Sequence, residues 1–196
     1  MSDLTTLTNC KSWLKLTAAQ TTDDTILSRL ISASSALLQS WLNRNILVQV
    51  YTEVLDGQGN NQIVFANYPV TAVASLSIDK IIIPASIDGG VLQAGYGFDD
   101  GRLWVIGYQF TRNSGYANDF TRGRGNVTVS YTAGYATVPL DIEQACIEMV
   151  SIKYRMRDRI GQKSVAMGGE STSFDTSDIP SYIQILLQQY KKVVPN

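Results

Sequence analysis

The stretch from Asn126 to Ile142 constrains the chain most, because the hydrophobic period changes inside it. Val127, Val129 and Tyr131 alternate with Thr128, Ser130 and Thr132, the period-two pattern of a strand with one buried face. Gly134 interrupts the pattern. Pro139 stands where a helix would start, and Asp141 and Glu143 follow in its first turn. A proline there sacrifices no helical hydrogen bond, and the two carboxylates lie at the positive end of the helix dipole. A β region therefore ends near Ala133 and helical structure succeeds it.

Towards the N-terminus, period two holds from Ile46 to Tyr131. Ile46, Val48, Val50, Thr52 and Val54 alternate with Leu47, Gln49, Tyr51, Glu53 and Leu55. Asp56–Asn61 has the composition of a hairpin turn, and Gln62–Phe65 returns as a short strand. Val70–Ile78 is a strand that turns at Asp79-Lys80 into Ile81–Ile83, and Pro84 confines the next residues to an edge or loop. Val91–Tyr96 and Arg102–Ile106 are two further short strands, and Tyr108–Gly125 is expected to be a long polar loop.

On either side of this β region the period is helical. Leu4, Leu7, Cys10, Trp13 and Leu14 mark a short helix. With Thr22 or Asp23 as cap, a long helix carries Ile26, Leu27, Leu30, Ile31, Ser34, Leu37, Leu38, Trp41 and Leu42 on one stripe. Its other face, with Ser28, Ser32, Ser35 and Gln39, is poor in charge and open either to solvent or to a neighbouring subunit. Residues 139–161 form a second long helix, ending at Gly161 with Lys153, Arg155, Arg157 and Arg159 in its last turns. A Gly- and Ser-rich loop, 162–177, is expected to be flexible or ordered by a partner. A last helix capped by Asp178 carries Tyr182, Ile183, Leu186, Leu187 and Tyr190. The expected class is α+β: a four-helix-type bundle from residues 1–45 and 133–196, with an antiparallel β domain inserted at 46–132. Neither helical pair buries its stripe alone, which argues for one bundle.

The chemistry is sparse. A chain of 196 residues without a histidine has no Ser-His-Asp or Cys-His arrangement and lacks the commonest metal ligand. Cys10 and Cys146 are too few for a zinc site or a disulfide framework and read as buried thiols. Asp23-Asp24 reads as helix-start charge and Asp99-Asp100 as a turn. Gly95–Gly101 misses the dinucleotide-binding spacing, and Gly168-Gly169 lacks a following Lys-Ser or Lys-Thr. The net charge of −1 carries no overall polyanion-binding signature. No apolar run approaches the ~20 residues of a membrane helix, the polar start is not a secretory signal, and synthesis in a cytosol is expected. The sequon at Asn126 lies inside a strand, where glycosylation is not expected. Two local patches remain. Arg122-Gly123-Arg124-Gly125 is a solvated loop tip or a nucleic-acid contact. Lys153, Arg155, Arg157, Arg159 and Lys163 are a charged helix end or, repeated around a ring, a DNA-facing or partner-facing surface.

The segment Val129–Tyr135, followed by Val138-Pro139-Leu140-Asp141-Ile142 and Ala145, resembles the head–tail connector (adaptor, or head-completion) proteins of long-tailed bacteriophages. Lys11–Leu14, Asp23-Asp24, Trp41–Arg44, Tyr51, Asp56-Gly57, Tyr68-Pro69-Val70 and Tyr154-Arg155 agree in order across nearly the whole chain. The resemblance implies a non-enzymatic virion protein without cofactors, assembled in the host cytoplasm. It implies a ring, commonly a dodecamer, between the portal protein and the stopper or tail, and a channel for packaged DNA. It implies no membrane partner. It also implies a portal-docking part after the second long helix, with Gly168, Gly169, Phe174, Tyr182, Leu186 and Tyr190 as candidate residues. Another neck or tail-completion role is the nearest alternative. A carbohydrate-binding or enzymatic module built on Trp104, Tyr108, Phe110 and Tyr116 is the alternative from a different class.

Overall fold

A computed structural model describes residues 2–89, 93–107, 119–157, 164–167, 170–173 and 179–192. In chain order come α1 (Leu7–Leu14), α2 (Asp24–Leu42), then the strands β1 (Gln49–Gly57), β2 (Gln62–Val64), β3 (Val70–Ile78) and β4 (Ile81–Ile83). The strands β5 (Gly95–Phe98), β6 (Arg102–Ile106) and β7 (Gly123–Ala133) follow, then α3 (Leu140–Met156), β8 (Ser164–Met167), β9 (Glu170–Ser173) and α4 (Ser181–Leu187). A 3-10 turn, Gln188–Tyr190, extends α4. The chain is thus a mixed α+β protein with antiparallel sheets. It divides into two compact units, Met1–Ile46 with Thr137–Asn196, and Leu47–Ala136.

In the first unit α3 packs against α1, α2 and α4. Its buried positions Ile142, Ala145, Cys146, Met149 and Val150 follow helical spacing, as do Leu27, Ile31, Leu38 and Leu42, the buried face of α2, against which α3 packs. Local rules fix the helix ends. Thr6 caps α1 by accepting from the Asn9 amide at 3.2 Å. Lys15 and Asn43 close α1 and α2 in the left-handed region, at φ 58° and 55°, so that the carbonyls of Ser12 and Ser40 find amide partners. The Pro139 carbonyl accepts from the amides of Ile142 and Glu143 at the start of α3.

The polar face expected for α2 is partly inside. Ser35 and Gln39 are buried: Ser35 Oγ accepts from the Leu4 amide at 2.9 Å, and Gln39 Nε2 donates to the Ser2 carbonyl at 2.9 Å. The N-terminal segment runs over these two positions, and small or amide side chains are what its backbone requires. Ile26 and Trp13, assigned to apolar stripes, are 44% and 49% exposed. The last helix starts later than expected, with Pro180 at its cap position, and Asp178 lies outside the described residues.

In the second unit one sheet has the order β1-β7-β3-β4 and the other β2-β6-β5. β7 is the hub. Its inward residues Val127, Val129, Tyr131 and Ala133 are at most 1% exposed, and a single core joins them to Leu76, Ile78, Leu103, Val105 and Phe120. Tyr131 lies opposite Tyr51 on β1 and Val73 on β3. Its ring sits 4.5 Å from Phe65 and 5.7 Å from Tyr51. On the other face of this sheet two cross-strand rows are uncharged: one runs Val54, Thr128, Ser77, Ile82, and the next Thr52, Ser130, Ser75.

The structure corrects four expectations. Asp56–Asn61 is not a hairpin turn, because β1 pairs with β7 whereas β2 joins the other sheet. The strand expected at Val91–Tyr96 is Gly95–Phe98. β7 begins at Gly123, so Arg124 and Gly125 belong to a strand and not to a loop; residues 108–118 lie outside the described ones. The stretch 162–177 contains a paired hairpin, β8 with β9, in register from Ser164 opposite Ser173 to Met167 opposite Glu170. By contrast, the tight turn at Asp79-Lys80 is present with both residues at positive φ, 50° and 69°, as a two-residue hairpin demands.

Candidate assembly surface

The basic run is distributed over α3 by simple geometry. Residues two apart on a helix differ by about 200°, so Lys153 and Arg157 share one side while Arg155 lies on the other. Arg157 pairs with Asp23 at 3.4 Å and covers the Tyr154 ring at 4.6 Å. Tyr154 in turn donates its hydroxyl to Asp23 Oδ2 at 2.5 Å. That hydrogen bond, and after it Arg157, holds the Asp23 carboxyl below its ordinary value. Asp23 occupies the N-cap position of α2 but makes no side-chain cap bond. Its carboxylate ties the start of α2 to the end of α3. Lys153 is half-buried and Arg155 exposed. Arg159 and Lys163 lie outside the described residues.

Arg155 and Lys15 line a groove of about 650 Å³ with Trp13, Asn9, Ser12 and Ile147. Sequence reasoning missed it by placing Trp13 in the apolar stripe of α1. Trp13 follows Ser12 and precedes a left-handed cap at Lys15, which puts it at the rim.

α4 presents two faces. Ile183 and Leu187 are fully buried, whereas Tyr182, Ile185 and Leu186 are 51%, 74% and 40% exposed. The three outward residues stand at helical spacing and form one apolar strip. Burial, and then the neighbouring Glu148, raise the Tyr182 phenol above its ordinary value. The segment after α4 is pinned down. Gln189 Nε2 and Tyr190 Oη donate to Asp141 Oδ2 at 3.4 and 3.3 Å. Lys191 lies 4.3 Å over the Trp41 ring, and the Lys192 amide donates to the Leu42 carbonyl at 3.0 Å, covering the end of α2. Of the candidate docking residues, Tyr182, Leu186 and Tyr190 therefore fall on one element. Gly168, Gly169 and Phe174 lie outside the described residues.

Among the described residues no group of three or more His, Cys, Asp or Glu side chains is placed to hold a metal. Burial pushes both Cys10 and Cys146 up to about 11, which keeps each thiol protonated. Asp99 reads as a turn residue: its Oδ1 accepts from the amides of Gly101 and Arg102. Asn126 is engaged inside the second unit, accepting from the Gly57 amide and donating to the Thr121 carbonyl, both at 2.8 Å. Among the described residues no helix is long and apolar enough to cross a membrane.

A model of the head completion protein family matches residues 3–193. The chain belongs to the head completion protein family. The family's description gives it a structural role, in completing the head of a virion. Comparison with curated proteins finds no match. Among solved structures, the chain is similar to one from the neck of an empty gene transfer agent (GTA) particle determined with C6 symmetry. Identity is 17% and the TM-score 0.56, covering 96% of this chain and 90% of the other. A chain from the virion of a native GTA particle is also similar, with 17% identity and a TM-score of 0.51, over 92% and 84% of the two chains. At this identity the similarity establishes a shared fold, and it spans both units of this family member.

Proposed function

We propose that this head completion protein is the adaptor of the neck. It forms a ring, a dodecamer, between the portal protein and the stopper or tail-completion protein, and it extends the channel through which DNA passes. In this reading the helices of the first unit make a four-helix-type, ring-building bundle, the second unit is the inserted β domain, and the chain performs no catalysis. The observation that carries the reading is the outward face of α4. Tyr182, Ile185 and Leu186 form an apolar strip on an element that is otherwise tied down at both ends, as a docking surface for a larger partner requires. The C6 symmetry of one similar neck fits a ring whose copy number is a multiple of six. Lys153, Arg155, Arg157, Arg159 and Lys163 face either the DNA or a protein partner in this arrangement. Gly168, Gly169 and Phe174 complete the portal-docking part with the outer residues of α4.

The test is mass photometry of the purified chain with portal protein. Stoichiometric capture on portal rings is expected, and Ile185→Asp with Leu186→Asp abolishes it while leaving circular dichroism unchanged. A chain that stays monomeric and ignores the portal refutes the reading. Binding to tail tubes and not to portals assigns it to tail completion.

A further inference from the structure

The groove on the first unit combines three kinds of recognition. Trp13 offers half of an aromatic face, Ile147 supplies a buried apolar floor, and Lys15 and Arg155 bring two exposed cations to the rim. Such a site suits an apolar or aromatic side chain accompanied by carboxylates. The chain itself carries that chemistry at the turn between β5 and β6. Phe98, 36% exposed, precedes Asp99 and Asp100, and it is the one place in the sequence where an aromatic residue precedes two consecutive acids. The turn is held in one shape. Asp99 Oδ1 accepts from the amides of Gly101 at 2.9 Å and Arg102 at 2.7 Å, and the carbonyls of Asp100 and Gly101 accept from the amides of Val70 and Phe65. A preformed turn loses little freedom when it docks.

A closed ring needs two different, mutually complementary patches on every copy. We propose that the Phe98-Asp99-Asp100 turn of one copy seats in the Trp13–Lys15–Arg155 groove of the next copy around the ring. This rests on the ring reading above and deepens it, because Arg155 then meets a protein carboxylate and not DNA. Phe98 lies against Trp13, and the carboxylates reach Lys15 and Arg155. Arg102 neighbours Asp99 and offsets part of its charge, so charge matching falls mainly on Asp100.

Two measurements test the contact. In the first, Lys15→Cys and Asp100→Cys are combined in one full-length chain, assembled on portal rings or in particles, and treated with a short bismaleimide. Cys10 and Cys146 are fully buried and do not react in the folded protein. A ladder of covalent oligomers up to the full ring is expected. Rings that form without a ladder overturn the socket and leave the ring reading standing, whereas failure of the unsubstituted chain to form rings on portals overturns both. In the second, Arg155→Glu and Asp100→Arg each weaken assembly about tenfold, since each replaces an attraction by a repulsion at a desolvated contact, and the two together restore it. A combined variant as weak as either single change overturns the pairing. Arg155→Glu rings that close normally but lose DNA retention assign Arg155 to the channel and overturn it as well.

Discussion

Tyr131→Phe isolates one hydroxyl at the centre of the second unit. That hydroxyl donates to Glu53 Oε1 at 2.6 Å and accepts from the amide and side-chain nitrogens of Asn67, both at 3.2 Å. Removing it deletes a hydrogen bond to an ionised carboxylate, worth about 1.5–3 kcal/mol, and orphans the Asn67 amide at a further cost of about 1 kcal/mol. The Glu53 carboxylate keeps Asn67 Nδ2 at 3.1 Å and the Ala66 amide at 3.4 Å, so the network does not collapse, and the total comes to about 3 kcal/mol. The ring still packs on Phe65 and Tyr51, which excludes a cavity as the cause. A unit of this size has a stability of about 5–13 kcal/mol, so the loss is large. In urea, with a slope near 1.5 kcal/mol per molar, the midpoint of the β transition falls by about 2 M. Equilibrium unfolding followed by circular dichroism measures it, and hydrogen exchange at the Asn67 amide localises it. A shift under about 0.5 kcal/mol with that amide still protected would refute the assignment of stability to this network.

Tyr154→Phe removes the main influence that lowers Asp23, so the Asp23 carboxyl is expected to titrate at higher pH, as read by carboxyl-carbon NMR. Because the folded value is the depressed one, the stabilisation is complete above the ordinary aspartate range and is lost as pH falls through the folded value; an unmoved midpoint contradicts the assignment. Cys10 and Cys146, raised to about 11, resist Ellman's reagent at pH 8 until the protein unfolds, and rapid labelling of the native chain counts against their burial. Their sign is opposite: stability from these thiols is full below their ordinary value and declines as pH rises towards 11. Gly134→Ala places a Cβ 2.6 Å from the Leu47 carbonyl oxygen at φ 119°, which costs about 2 kcal/mol or more in thermal unfolding, and a neutral outcome contradicts the backbone geometry described.

The strands whose faces differ sharply in polarity were legible in the sequence. The inner residues of β7 follow from alternation, β3 and β6 occupy the ranges expected for strands, and Asp79-Lys80 follows from turn chemistry. What alternation cannot carry is pairing. Asp56–Asn61 has the composition of a hairpin, yet hydrogen bonds such as Gly57 N to Asn126 Oδ1 come from residues far along the chain. The hairpin of β8 and β9 was hidden by Gly and Ser content, which reports backbone freedom and is silent on whether two strands find each other. For the candidate surfaces, Tyr182 and Leu186 were legible as apolar residues of a short helix, but which of them face outward depends on how α4 seats. The basic run read as one patch because its residues are close in sequence. The helical period already divides Lys153 and Arg157 from Arg155, and the capture of Arg157 by Asp23 depends on a residue at the other end of the chain. Trp13 shows the same limit: helical spacing marks it as core, whereas the early end of α1 leaves it at the rim.

β1 lies at the open end of its sheet and has neither proline nor lysine to discourage another strand from joining. Its one inward charge is Glu53, half-buried and fastened to Tyr131 and Asn67. Any further burial of that carboxylate by a strand added along the edge would cost it hydration. The residue that anchors the interior of the sheet thus also makes widening of the sheet at β1 costly.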